Sequence, residues 1–165
     1  MNLTDILDRA RVLVDANIFI YAAQNRSQEC RHLLSRCDDG QVEGWLTTVA
    51  IAEVCHRRMM DEAKSKGMVS SNPAKALSQK ANMVRQLSIY AEDIRDILNG
   101  KLLIEPVLPS DFLVALELQT QHGLLTNDAL NLAVAKRLGI QEIATADANF
   151  DPVAGLIVYK PSDTA

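Results

Sequence analysis

Short apolar runs alternate with segments of helical period along nearly the whole chain. Val12-Leu13-Val14 stops abruptly at Asp15. The later runs are Gly44-Trp45-Leu46-Thr47, residues 102–107, Glu142-Ile143-Ala144-Thr145 and Leu156-Ile157-Val158-Tyr159. Each is too short for a helix, and most are β-branched or aromatic enough for a strand. Between them lie helical stretches at 18–23 and 27–36. Another, opened by Thr47 or Thr48, runs through Val49, Ile51, Ala52, Val54 and Cys55 toward Lys66. After a Gly-, Ser-, Asn- and Pro-rich break at 67–73, one long helix is expected over 74–98. Its stripe Leu77, Ala81, Val84, Leu87, Ala91, Ile94 and Leu98 steps by three and four, and Asn99-Gly100 stops it. Two further helices run from Ser110 to Gly123 and from Thr126 to Gly139. Strands alternating with helices exclude all-α and all-β folds. They predict a three-layer α/β/α sandwich with a mainly parallel central sheet. Periodicity leaves the strand order open.

With 165 residues, nearly half apolar, the chain is expected to be a single domain, residues 1–165, with a longer helical segment at about 57–98. No apolar run approaches the roughly 20 residues of a membrane span. The first eleven residues carry Asp5, Asp8, Arg9 and Arg11 and do not read as a secretory leader. Three cysteines, an odd number, argue against a disulfide framework and for a reducing, cytoplasmic setting. The net charge of −4 does not advertise nucleic-acid binding. It does not exclude it, because carboxylates facing bound cations attract phosphate locally.

Four carboxylates carry the functional reading. Asp15 and Asp147 each follow an apolar strand at its carboxyl end. Asp128 lies in the first turn of the helix opened by Thr126, and Glu53 early in the helix opened by Thr47 or Thr48. In an alternating α/β chain, strand ends and the starts of following helices share one rim. Two like charges about 5 Å apart repel by roughly 3 kcal/mol at an effective dielectric near 20, and helix N-termini return only about 0.3–1 kcal/mol each. Protonation or a divalent cation must supply the rest. Hard oxygen donors with open positions suit Mg²⁺ or Mn²⁺, and such a site on phosphate supports in-line attack by water. Each acid also has a plainer role: Asp15 and Asp147 as turn formers with Asn17 and Asn149, Asp128 as a helix-start acid, Glu53 as a partner of Arg57 four positions on.

Arg57, Arg58, Lys64 and Lys66 follow Glu53 on its helix and either line a path for an RNA backbone or form a solvated face. The 74–98 stripe reads as core or as part of a dimer or partner surface, and Trp45 as core. Glu29-Cys30-Arg31-His32 and Glu53-Val54-Cys55-His56 are both Glu-x-x-His, as in di-iron four-helix sites, but the alternating strands oppose that architecture. Cys30, His32 and Cys37 lack a fourth ligand at a zinc-finger spacing.

Four motifs in order resemble the PIN domain, and within it the toxin nucleases of the VapC type. They are Val12-Leu13-Val14-Asp15-Ala16-Asn17-Ile18-Phe19, Thr47-Thr48-Val49-Ala50-Ile51-Ala52-Glu53-Val54, Leu125-Thr126-Asn127-Asp128-Ala129-Leu130 and Ile143-Ala144-Thr145-Ala146-Asp147-Ala148-Asn149-Phe150. Val153, Gly155-Leu156 and Pro161 continue the likeness. The resemblance implies a parallel-sheet sandwich and cleavage of single-stranded RNA dependent on Mg²⁺ or Mn²⁺. It implies homodimerisation and neutralisation by a small cognate antitoxin. It makes Asp15, Glu53, Asp128 and Asp147 the metal-binding and catalytic acids, with Asn17 and Thr145 as polar helpers. The chain is thus read as a metal-dependent endoribonuclease, a toxin of a toxin–antitoxin pair. The alternatives are a non-catalytic nucleic-acid-binding module of the same fold and a small-molecule phosphohydrolase with Asp15 as nucleophile.

Overall fold

Burial on both faces makes strand β1, Arg11–Val14, the centre of the sheet: Val12, Leu13 and Val14 are all sealed from solvent. The computed structural model describes residues 1–69, 73–78 and 81–164. β2, Glu43–Thr47, and β4, Glu142–Ala144, flank β1; β3, Leu103–Glu105, and β5, Ile157–Tyr159, form the edges. The order β3-β2-β1-β4-β5 is parallel throughout, with Leu13 opposite Trp45 on one side and Ile143 on the other. The order reverses direction between β1 and β4, which places a crevice at the carboxyl ends of those two strands.

Side-chain alternation divides the core. Val12, Val14, Leu46 and Ala144 point to one face and pack against α1, Ala16–Ala23, and α2, Gln28–Asp38. Leu13 and Ile143 point to the other, against α7, Pro109–His122, and α8, Thr126–Leu138. Gly44 is required here. A Cβ at that position would lie 2.8 Å from the Cys37 sulfur and 2.6 Å from a Leu102 methyl. α3, Thr48–Ser65, follows β2 and supplies Ala50 and Val54 to the first core. Thr47 caps it, accepting from Ala50 N at 3.0 Å. Gly123 and Gly139 end α7 and α8 in the left-handed conformation their positions demand.

The single long helix expected over 74–98 is not formed. The described residues give α4, Pro73–Ser78, α5, Ala81–Val84, and α6, Ile89–Asn99; positions 79 and 80 of the expected helix, and 70–72 of the break before it, lie outside the described residues. The physical reason is Glu62. Its carboxylate reaches from α3 to accept from Ser88 N (2.9 Å) and Tyr90 N (3.1 Å), while Lys66 Nζ holds it at 2.6 Å. N–H groups that a continuous helix uses internally are captured from outside. The apolar stripe still serves packing: Leu77 and Leu87 join Met60, Ala63 and Val69 in a satellite core, and Ile94 packs on the first core. Leu98 is exposed.

Other details also depart from expectation. β3 keeps only three residues of 102–107, since Pro106 cannot donate to a ladder. Trp45 is half-buried rather than core, its indole N–H donating to Glu43 at 2.8 Å with the Arg11 guanidinium over the ring. Glu29 is bonded to Asn2 and Ser162 and is not aimed into a bundle. Cys30 and Cys37 are sealed in the first core, where burial pushes their thiols up to about 11 and about 12, and His32 is exposed. Among the described residues, neither the di-iron nor the zinc arrangement is formed.

Candidate active site

Asp15 closes β1 and begins α1, so the residue that ends the central strand also caps a helix. Its Oδ1 accepts from Ala16 N at 2.7 Å; its Oδ2 accepts from Asn17 Nδ2 at 2.6 Å and from Thr145 Oγ1 at 2.6 Å. Thr145, at the end of β4, is fully buried and fully used. Its hydroxyl donates to Asp15 and accepts from Asn17 Nδ2 and from Asp147 N, both at 3.0 Å, which exhausts one donor and two acceptor positions. Asn17 Oδ1 then accepts from Ala146 N at 2.9 Å. Asn17 and Thr145 therefore staple the ends of β1 and β4 together around one carboxylate. Asp147 lies two residues on and caps a short 3-10 turn, accepting from Asn149 N at 2.9 Å.

The other two acids come from helix starts. Asp128 is in the first turn of α8 and Glu53 in the second turn of α3. Glu53, Thr126, Asn127, Asp128 and Asp147 line one cleft of about 290 Å³. Glu53 does not pair with Arg57; its Oε2 accepts from Asn127 Nδ2 at 3.1 Å. Asp15 adjoins the cleft closely enough to feel the charges of Asp128 and Glu53. All four sequence-predicted acids thus face one locality.

Their electrostatics match the crowding. Burial pushes the Asp15 carboxyl up to about 6, against the opposing hydrogen bonds from Thr145 and Ala16, and the charges of Asp128 and Glu53 add to the rise. Asp128 is raised as well, by burial first and then by Asp147 and Glu53. The donors are all hard carboxylate oxygens whose ionised forms are destabilised by one another, and a divalent cation relieves that repulsion. The residues present therefore fit Mg²⁺ or Mn²⁺. Among the described residues, no three His, Cys, Asp or Glu side chains stand together as a group that could hold a metal ion; Glu53, Asp128 and Asp147 line an open cleft, with Asp15 buried beside it.

Some members were not singled out from the sequence. Asn131, on α8, is buried and accepts from Thr47 Oγ1 at 2.5 Å. The pair fixes the start of α3, and so Glu53, against the helix that carries Asp128. Asn127 and Asn149 orient Glu53 and Asp147. An Asn on the buried face of an apolar helix was the available signal for Asn131. Of the two arginines after Glu53, Arg58 is engaged by Asp93 at 2.7 Å and by Asp61 at 3.9 Å, whereas Arg57 is exposed.

The PIN domain family model matches residues 12–156. No curated protein matches the sequence significantly. Among solved structures, VapBC2 from Rickettsia felis, bound to a DNA fragment from its promoter, is similar with a TM-score of 0.57 and 18% identity, over 92% of this chain and 99% of that one. A toxin–antitoxin complex from Klebsiella pneumoniae gives 0.54 and 18%, over 88% and 95%. Mycobacterium tuberculosis VapC20, a sarcin–ricin-loop-cleaving toxin, gives 0.55 and 14%, over 85% and 92%. At such identities the structural likenesses speak for the fold alone.

Proposed function

Because the chain belongs to the PIN domain family, we propose that it is a metal-dependent endoribonuclease and the toxin of a toxin–antitoxin pair. The observation that carries the reading is the convergence of Asp15, Glu53, Asp128 and Asp147, with Asp15 and Asp128 both raised. The family match is the support for a nuclease; RNA as substrate and an antitoxin as partner are taken over from fold relatives that include a toxin cleaving the sarcin–ricin loop and a toxin–antitoxin complex. A divalent cation, when bound, supplies Lewis-acid polarisation of the scissile phosphate and charge neutralisation. Asp15, Asp128 and Asp147 would hold it, directly or through water. Thr145 and Asn17 keep Asp15 in one orientation, which lowers the cost of ordering the site at each turnover. Glu53, half-buried and steadied by Asn127, positions the attacking water. Asp15 itself is a poor nucleophile for a phosphohydrolase, because it is 6% exposed and both oxygens already accept hydrogen bonds.

The direct test is cleavage of single-stranded RNA in Mg²⁺. Wild-type protein is expected to cut, EDTA to stop it, and Asp128→Asn to reduce the rate by about 10²-fold or more. RNA binding with no cleavage in Mg²⁺ or Mn²⁺ would leave a binding module in place of a nuclease.

Homodimerisation belongs to the same proposal. α7 turns Ala115 and Leu118 to the core but presents Phe112, Leu113 and Leu116 at 50%, 68% and 61% exposure. An apolar face of this kind supports self-association. Leu113→Glu combined with Leu116→Glu is expected to convert a dimer to a monomer by light scattering, with the fold retained. A wild-type protein that is monomeric at micromolar concentration would refute the assignment. No helix among the described residues is long and apolar enough to cross a membrane.

A further inference from the structure

We propose that the groove continuing from Glu53 along α3 to Arg57 is a subsite for the nucleotide that flanks the scissile phosphate, with Arg57 contacting its phosphate. The proposal rests on the nuclease reading and adds to it a place for the substrate strand. Val49, Ala52, Glu53, His56 and Arg57 fall at helical spacings of three and four and form one stripe of α3. With Asn127 opposite, they line a groove of about 480 Å³, within the roughly 300–1,000 Å³ typical of small-ligand sites. Glu53 and Asn127 line this groove and the acidic cleft alike, so the two are continuous.

The chemistry along the stripe is graded. Along the axis, Val49 and Ala52 give an apolar floor on the N-terminal side of Glu53, and His56 and Arg57 follow on its C-terminal side. Among the described residues, Arg57 and His56 make no hydrogen bond or ion pair, whereas Arg58 is held by Asp93 and Asp61 and Lys66 by Glu62. Glu53, the natural i,i+4 partner of Arg57, is taken by Asn127 instead. Arg57 is thus a guanidinium left available beside a site that a polyanion must enter against four carboxylates. Four residues of helix separate Glu53 from Arg57, about 6 Å along the axis. A strand engaged at the acids needs one step of its backbone to reach it. The apolar floor and the His56 ring offer a surface for sugar and base without reading base edges, so the contact is sequence-tolerant.

The test uses full-length protein carrying Asp15→Asn, which blocks cleavage, with Mg²⁺ and a short fluorescein-labelled single-stranded RNA read by anisotropy from about 50 to 200 mM salt. Added Arg57→Gln is expected to weaken binding about 5- to 10-fold at low salt and to flatten the log–log salt slope by about 0.7, the value for one phosphate contact on a single strand. Added His56→Ala is expected to weaken binding with the slope unchanged. Lys101→Gln, exposed at the start of the segment that leads into β3, is expected to change neither. All three positions are exposed, and circular dichroism checks that the fold survives. An unchanged slope in Arg57→Gln, or an equal loss in Lys101→Gln, overturns the subsite. If cleavage by the wild type still depends on Asp128, only the subsite falls. If the Asp15→Asn parent binds no RNA and the wild type does not cleave, the nuclease reading falls with it.

Discussion

Asp15→Asn is expected to lower RNA cleavage by at least about 10³-fold, equivalent to about 4 kcal/mol of transition-state stabilisation, and to remove one pH dependence of stability from the metal-free protein. The loss of rate follows from taking a charged oxygen donor out of the cluster while the surrounding shape is kept. The pH effect follows from burial. The folded Asp15 carboxyl is raised to about 6, above its unfolded value near 3.8. The folded state therefore holds this proton more tightly. Its stabilising contribution is fully present below about pH 4 and is lost as pH rises through about 6. The span of about two pH units corresponds to about 3 kcal/mol. Urea unfolding in EDTA at pH 4 to pH 7 reads it directly: wild type is expected to weaken relative to Asp15→Asn by about 3 kcal/mol across that window. Asp128, also raised, contributes to both proteins, so only its coupling to Asp15 enters the difference. Asp111, Glu62 and Asp163 are shifted downward and act at lower pH. Mg²⁺ at pH 7 should raise the wild-type midpoint by binding the native state, and the variant's much less. A wild-type-to-variant difference that stays constant with pH would remove the argument from burial, and retained cleavage would remove Asp15 from the site.

Arg137→Met is expected to cost about 3–5 kcal/mol of stability, a fall in Tm of about 6–20 °C for a chain of this size. Arg137 grips Asp111 with two nitrogens, Nε at 2.8 Å and Nη2 at 3.0 Å, and reaches Glu105 at 2.5 Å and the Pro106 carbonyl at 2.9 Å. Asp111 is 2% exposed and held well below the usual carboxylate range chiefly by that guanidinium. It also accepts from Leu108 N at 2.8 Å, fixing the start of α7. Removing the arginine leaves a sealed carboxylate without a counter-charge. Calorimetry measures the cost, and Arg137→Met with Asp111→Leu should regain most of it because no lone charge stays inside. Nine residues of α8, about 14 Å, separate Arg137 from Asp128, so cleavage by the folded fraction should persist. A cost under about 1 kcal/mol for the single change would mean that Asp111 is solvated on loss of its partner.

Much of this was legible in the residues because local chemistry fixes it. Val12-Leu13-Val14 has one stable use in an alternating chain, Thr47 caps a helix wherever it precedes one, and Gly123 and Gly139 supply the left-handed ends. The acids were legible as a set because each sits at a strand end or a helix start. What was missed depends on partners far away in sequence. Glu62 splits the 74–98 stripe by capturing Ser88 and Tyr90, 26 and 28 positions on, and no periodicity records that. The Thr47–Asn131 bond spans 84 positions. Leu113 and Leu116 read like any helix interior, yet α7 turns them to solvent. Arg57 and Arg58 are adjacent and chemically identical; the positions of Asp93 and Asp61 separate their fates.

The clasp between Asp15 and Thr145 joins positions 130 apart. At about 5–20 residues per second, a ribosome needs roughly 7–26 s to travel between them. Throughout that interval the first acid has only its chain neighbours Ala16 and Asn17 to bond with, and the strand that leads to Asp147 does not exist. A polypeptide abandoned before position 145 therefore lacks the clasp, and the four acids can come together only after β4 and the turn behind it have been made.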